Sequence, residues 1–381
     1  TGGPDHNQQD DLSRAVHVLR LLSDTQQPKD LSNFIRDFRS RFDQQKVPLL
    51  KALDPDAGFV YGDMEPSMPG QHILENIPFP ESVGENKTLG WHATQQFIFR
   101  LWIGDTLRDP WSPLQITDEL VDELESQKKN PLPMPPTQAL MYRSTGEHLI
   151  IESSGGVTGA SLIGRFSCFT PEIHEFCQEL ASKELAANPE VAFADIAQQS
   201  DTHIDNINRR KSIYAYQIPL NVYPNRHAED LLLPSELVLS LRGDELILES
   251  SRLQKRIIPR LATAYNYRNN HLPMFRLLCD LQLQGIHAGL SFSLENFFPG
   301  LPFYPRVCHG KIIFSLAKWN LKESDLEALK GGESFNGLKA LERLRSKLNI
   351  PRYITIGGDD QQLIFDLGNV VEANFFIECI I

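Results

Sequence analysis

The feature that most constrains the fold is a change of hydrophobic period near residue 138. Upstream, Leu12, Ala15, Val16, Leu19 and Leu22 recur at helical spacing, and Leu31, Phe34, Ile35, Phe38 and Phe42 do so again. Such spacing lays apolar side chains along one helical face. "VPLLKALDPDAGFVYG" reads as a short apolar segment followed by a turn at Asp54-Pro55 and Gly58. Residues 63–92, rich in Pro and Gly, read as an extended loop. "ITDELVDELESQKK" predicts a surface helix with acids early and lysines late, as the helix dipole favours. "NPLPMPP" is a rigid connector.

Downstream, apolar and polar residues alternate in "ALMYRSTGEHLIIESSGGVTGASLIGRFS" and "ELVLSLRGDELILESS", with glycines between. That is the strand period, and Gly243-Asp244 predicts a tight hairpin turn. "SIYAYQIPL" and "KIIFSLAKW" read as strands, and "RYITIGGDDQQLIFDL" as a second hairpin turning at 357–360. Residues 171–187, "PMFRLLCDLQLQ" and 323–348 read as helices, the last with a Gly break; 369–381 is helix or apolar tail. Strands and helices do not alternate as a doubly wound chain requires. The expectation is an α+β fold of mixed, mostly antiparallel sheets with packed helices. Residues 1–137 form its helical, loop-rich segment and 138–381 its α+β portion.

Several chemistries are disfavoured. No run of about 18 apolar residues offers a transmembrane helix, and the polar start "TGGPDHNQQDD" is no signal peptide but resembles a cut edge. Five cysteines without a CxxC argue against a disulfide framework or a cysteine zinc site and fit the reducing cytoplasm. Eleven histidines without HExxH offer no metal site. "SSGGVTG" lacks the phosphate-loop lysine, and no GxSxG occurs.

One stretch runs against the chain's net charge of −12: "SSRLQKRIIPRLATAYNY" places Arg252, Lys255, Arg256 and Arg260 close together with no acid among them. Pro259 disfavours a helix there. In an extended strand Arg252, Arg256 and Arg260 share a face, because alternate side chains point the same way. Successive arginines are then roughly 13 Å apart. Such a row suits a polyanion, or one guanidinium on a substrate carboxylate and others on phosphates. The alternative is ion pairing with neighbouring acids such as Asp244, Glu245 or Glu249, and composition by itself favours that alternative.

In order along the chain, "FIRDFRSRFDQQKVPLLKALDPDAGFVYG", "VAFADIAQQSDTHIDNINRRKSIYAYQIPL", "ELILESSRLQKRIIPRLATAYNY", "LPMFRLLCDLQ", "LPFYPRVCHGKIIFSLAKW" and "QQLIFDLGN" resemble segments of the amino-terminal region of class I lanthipeptide (lantibiotic) dehydratases. The resemblance implies a tRNA-dependent activity on a ribosomally made precursor peptide. Glutamate passes from glutamyl-tRNA, the co-substrate, to Ser or Thr hydroxyls and is then eliminated to leave dehydroamino acids. No other cofactor or metal is implied, and a homodimer is compatible. The chain matches the later part of the glutamylation domain. The family's first arginine-bearing segment, its leader-binding winged-helix element and its elimination domain are not found, so the chain is expected to be inactive alone.

The resemblance carries the family's site aspartate onto Asp54 and its arginine onto Arg256, with Arg252 next. It assigns Arg252, Lys255, Arg260 and Arg306 to substrate or tRNA binding. Ala264-Tyr265-Asn266 stands where many members have His-Asn. Two other classes stay open: a non-catalytic tRNA- or peptide-binding module, and a structural segment whose arginines are all ion-paired.

Overall fold

A computed structural model describes residues 5–23, 27–62, 93–106, 109, 111–128, 131–199, 205–224, 226–330, 334–358 and 361–380. The loop expected over 63–92 lies outside these residues. The chain divides into two compact units, Thr1–Thr94 with Glu119–Ser291, and Gln95–Asp118 with Phe292–Ile381.

The first unit is built on a six-stranded sheet. Its strands lie in the order Val47–Pro48, Leu237–Arg242, Glu245–Ser250, Lys255–Arg260, Val191–Gln198, Tyr216–Leu220. The first four pair antiparallel. Val191–Gln198 runs parallel to both its neighbours. Its sequence, VAFADIAQ, shows no alternation, because a strand covered on both faces is apolar throughout. Ala192, Ala194 and Ile196 face one core, with helices Lys29–Phe42 and Pro273–Leu281. Phe193 faces a second core, with Cys177 of helix Pro171–Ala187 and with Ile213 and Tyr214.

Helix Lys29–Phe42 buries Leu31, Phe34, Ile35, Phe38 and Phe42, the five residues whose spacing predicts it. A helix of 14 residues is marginal alone. Each buried side chain contributes about 1.5–3 kcal/mol, so packing stabilises it. Gly243 takes a positive φ of 59° at the first turn position, as the hairpin between Arg242 and Glu245 requires.

The expected run of strands beyond residue 138 holds only as far as the hairpin Ala139–Ser144/Leu149–Gly155. Gly155 and Gly156 both take positive φ, and the chain then turns into a short helix, Ala160–Ile163, and a 3-10 segment, Gly164–Cys168. Helix Pro171–Ala187 begins on a Thr170 cap whose hydroxyl accepts from the Ile173 N–H.

In the second unit "KIIFSLAKW" is not one strand. Ile312–Ser315 pairs with Val307–His309, whereas Lys318–Trp319 pairs with Phe303–Tyr304. Helices Glu323–Lys330, Ser334–Leu348 and Val370–Ile380 and the hairpin Tyr353–Gly358/Gln361–Asp366 share a core around Leu341, Leu344, Phe365 and Phe376. Among the described residues no helix is long and apolar enough to cross a membrane.

Candidate functional site

The basic stretch folds as a turn followed by a strand, not as one extended row. Ser250 anchors the turn: its hydroxyl accepts from the Leu253 N–H at 3.1 Å and contacts Glu236 Oε1 at 3.1 Å. Gln254 reverses the chain at a φ of 51°. Arg252 therefore leaves the row. It donates to Glu236 Oε2 at 3.3 Å and to the carbonyls of Glu229 and Leu231 at 2.9 and 2.6 Å. Arg256 and Arg260 keep equal parity on the strand Lys255–Arg260 and both line one pocket of about 370 Å³.

The pocket opens where strand pairing lapses. Glu245–Ser250 and Lys255–Arg260 share two register pairs, Glu249 with Arg256 and Ser250 with Lys255. Beyond them the Gln284 side chain stands in for a strand, exchanging two hydrogen bonds of 2.9 Å with the Leu246 backbone. Gln282 Oε1 likewise accepts from the Leu261 N–H at 3.1 Å. Pro133–Pro136 form a wall, fixed where the His287 N–H donates to the Pro133 carbonyl at 2.8 Å.

The two arginines differ in setting. Arg256 is partly exposed and donates through Nη2 to Glu245; among the described residues nothing accepts from its Nε or Nη1. Arg260, expected in a row open to a polyanion, is instead only 3% exposed. The strand carries it into the second core, where Nε donates to the fully buried Glu184 at 3.0 Å. Its guanidinium lies over the Phe193 ring at 4.8 Å. No described residue accepts from its Nη2.

Glu184 is satisfied on both oxygens. Thr137 Oγ1 donates to Oε1 at 2.7 Å, and Tyr214 Oη donates to Oε2 at 3.1 Å while accepting from Thr158 at 3.0 Å. Burial, and then the Glu184 charge, push the Tyr214 phenol upward and keep it protonated. Nothing in the sequence marks Glu184: a glutamate in a helix reads as solvated.

Asp195 was also missed, although an acid inside the apolar run VAFADIAQ was a usable signal. It is buried, accepts from the Ile213 and Tyr214 N–H groups at 2.7 and 2.9 Å, and has Arg210 Nε at 4.0 Å. Burial pushes its carboxyl up; Arg210 and the two amides oppose the shift.

Asp54 has another local role. It is exposed, and its Oδ1 accepts from the Asp56 and Ala57 N–H groups at 2.9 and 2.7 Å, closing the turn after the short helix Leu49–Ala52. It does not line the arginine pocket. Lys255 is exposed on the strand and Arg306 belongs to the second unit. The structure thus brings together Arg256 and Arg260, and gives each of Arg252, Arg256 and Arg260 a carboxylate partner. Only Glu245 is among the acids the sequence suggested.

The chain is similar in fold to MibB, a tRNA-dependent lantibiotic dehydratase from Microbispora sp. 107891, with a TM-score of 0.73 and 19% identity over 98% of this chain and 36% of that one. It is also similar to the glutamylation domain of TbtB from thiomuracin biosynthesis (TM-score 0.56, 16% identity, 97% of this chain and 45% of that one). The same domain bound to 5'-phosphodesmethylglutamycin gives 0.55, at 16% identity over 98% of this chain and 45% of that one. The chain thus spans 36–45% of the length of these structures. Comparison with curated proteins finds no match. The family model described as "Lantibiotic dehydratase, N terminus" matches residues 8–376, and the chain belongs to that family.

Proposed function

We propose that this chain is the glutamyl-transfer portion of a tRNA-dependent peptide dehydratase acting in the cytoplasm. The observation that carries the reading is the pair Arg256 and Arg260 on one pocket, each with guanidinium donors unused by described residues. A volume of about 370 Å³ falls within the range of small-molecule sites. One of the two guanidiniums can grip the side-chain carboxylate of a glutamyl group by charge-assisted hydrogen bonds, leaving the other, farther along the strand, for another part of the aminoacyl-tRNA. Their own charges are already balanced by Glu245 and Glu184, so the pocket takes an anion without being a general polyanion trap.

In the transfer, a Ser or Thr hydroxyl of the precursor peptide attacks the ester carbonyl of glutamyl-tRNA. The C–O bond to the ribose breaks, and the ribose oxygen takes the proton the hydroxyl releases. Arg256, the more exposed of the pair, is the residue that can answer charge developing on the acyl oxygen. No step is routed through Asp54, which closes a turn outside the pocket lining. Elimination of glutamate belongs to a separate part of the enzyme.

The test is Arg256→Lys beside Arg256→Ala in the intact enzyme, with glutamyl-tRNA and pre-glutamylated peptide supplied separately. Loss of the planar fork should cost glutamylation about 100-fold in both variants. Elimination should be unchanged. Equal loss of both half-reactions would make Arg256 a folding residue, and wild-type rates would remove it from the site.

A further inference from the structure

Two glutamines stand at the mouth of the strand gap, and they are not equivalent. The register of Glu249 with Arg256 and Ser250 with Lys255, if continued, would set Leu246 opposite Pro259. Proline has no N–H to donate, so the ladder cannot close there. Gln284 takes that place with both ends of its amide: the Leu246 N–H donates to Oε1, and Nε2 donates to the Leu246 carbonyl. Gln282 uses only one end. Its Oε1 accepts from the Leu261 N–H at 3.1 Å, which fixes that end of the amide as the oxygen. Its Nε2 donates to no described residue.

Gln282 is firmly placed. It caps the helix Pro273–Leu281, its own N–H donating to the Asp280 carbonyl. Asp280 is fixed in turn by the Tyr61 and Tyr267 hydroxyls, which donate to it at 2.5 and 2.7 Å. Gly285, at a φ of 72°, then turns the chain back. Gln282 is only 6% exposed, yet it lines the arginine pocket. Its side-chain oxygen rests on the residue next to Arg260, whose Nη2 also has no described acceptor. Two unused donors thus belong to one pocket, one from the strand and one from the helix end. A buried amide donor without an acceptor costs free energy, and an acceptor on a ligand removes that cost.

The donor set defines what fits. Arg260 Nη2 and Gln282 Nε2 offer hydrogens and no lone pair. A carboxylate accepts on both oxygens. A carboxamide of the same shape carries one acceptor and one NH2 group, which here would face another donor. We propose that Gln282 is a specificity-determining residue: with Arg260 it takes the side-chain carboxylate of the glutamyl group and turns away the glutaminyl isostere. A site built to hydrogen-bond one group rejects the analogue that leaves its buried polar atoms unpaired. Gln282 does this without adding a charge, so the balance set by Glu184 and Glu245 is kept. The inference rests on the transfer reading above. It assigns the carboxylate to Arg260 and leaves Arg256 for the acyl oxygen.

The experiment gives the intact enzyme one tRNA acylated with glutamate or with glutamine and measures kcat/KM for transfer of each to the peptide. The wild-type enzyme should favour glutamate. Gln282→Glu keeps an acceptor for the Leu261 N–H but exchanges the free donor for an acceptor. It should lower glutamyl transfer at least about tenfold. Glutaminyl transfer should hold or rise, because the introduced carboxylate accepts from the glutaminyl amide. Gln282→Met removes the donor without adding a charge and should lower the glutamate-to-glutamine ratio about tenfold. It serves if the melting temperature shows that Gln282→Glu does not fold. A wild-type enzyme indifferent to the two substrates overturns the proposal. So do variants that leave the ratio unchanged, including those that slow both transfers equally, as a purely structural role would. The two readings fail separately. Wild-type glutamylation by the Arg256 variants removes the transfer reading; loss in those variants beside an unchanged ratio in the Gln282 variants removes only this one.

Discussion

At the scale of single residues, the informative contrast is between an arginine paired in the interior and one paired nearer the surface. Arg260 is taken into the interior, and Glu184 meets it with both oxygens already bonded by Thr137 and Tyr214. Such a network withstands burial because both Glu184 oxygens and the Arg260 Nε are paired. Removing one member strands the other. Glu184→Ala should therefore cost about 3–5 kcal/mol of stability, read as a lower denaturant midpoint. Glu184→Ala combined with Arg260→Met should recover much of the loss, because no uncompensated charge remains. If the double variant is no more stable than the single one, the pair is not the source of the effect. Arg256, partly exposed with Glu245, should show far less penalty on truncation, since exposed pairs contribute about 0–1 kcal/mol.

At the scale of elements, the turn carrying Asp54 depends on a close backbone approach. Phe59 N–H donates to the Ala52 carbonyl at 2.9 Å, and Gly58 N–H to the Asp54 carbonyl at 2.7 Å. A Cβ on Gly58 would sit 2.2 Å from the Ala52 oxygen. Gly58→Ala must open this turn and should destabilise the chain by about 1–3 kcal/mol, as overpacking does. Faster amide exchange confined to residues 52–59 is the accompanying sign, and unchanged exchange there would refute the account. The helices here were readable because period and burial coincide: Pro171–Ala187 and Lys29–Phe42 begin and end close to where their capping and spacing indicate. The strand Val191–Gln198 was not, since burial on both faces erases alternation. Nor was the break in "KIIFSLAKW", because its two halves serve different sheets.

At the scale of the whole molecule, the chain spans 36–45% of the length of its structural relatives. The sequence by itself determined the α+β class, both hairpins and the family, because local periods and ordered segments survive without any knowledge of contacts. It also marked the basic stretch as exceptional against the chain's negative charge. Only the tertiary structure decided what each arginine does. A turn at 251–254 removed Arg252 from the row, a lapse in strand pairing opened a pocket beside Arg256, and burial joined Arg260 to a glutamate 76 residues away. The physical reason is that a charge acts through its partners and its solvent exposure, and both are set by residues distant along the chain.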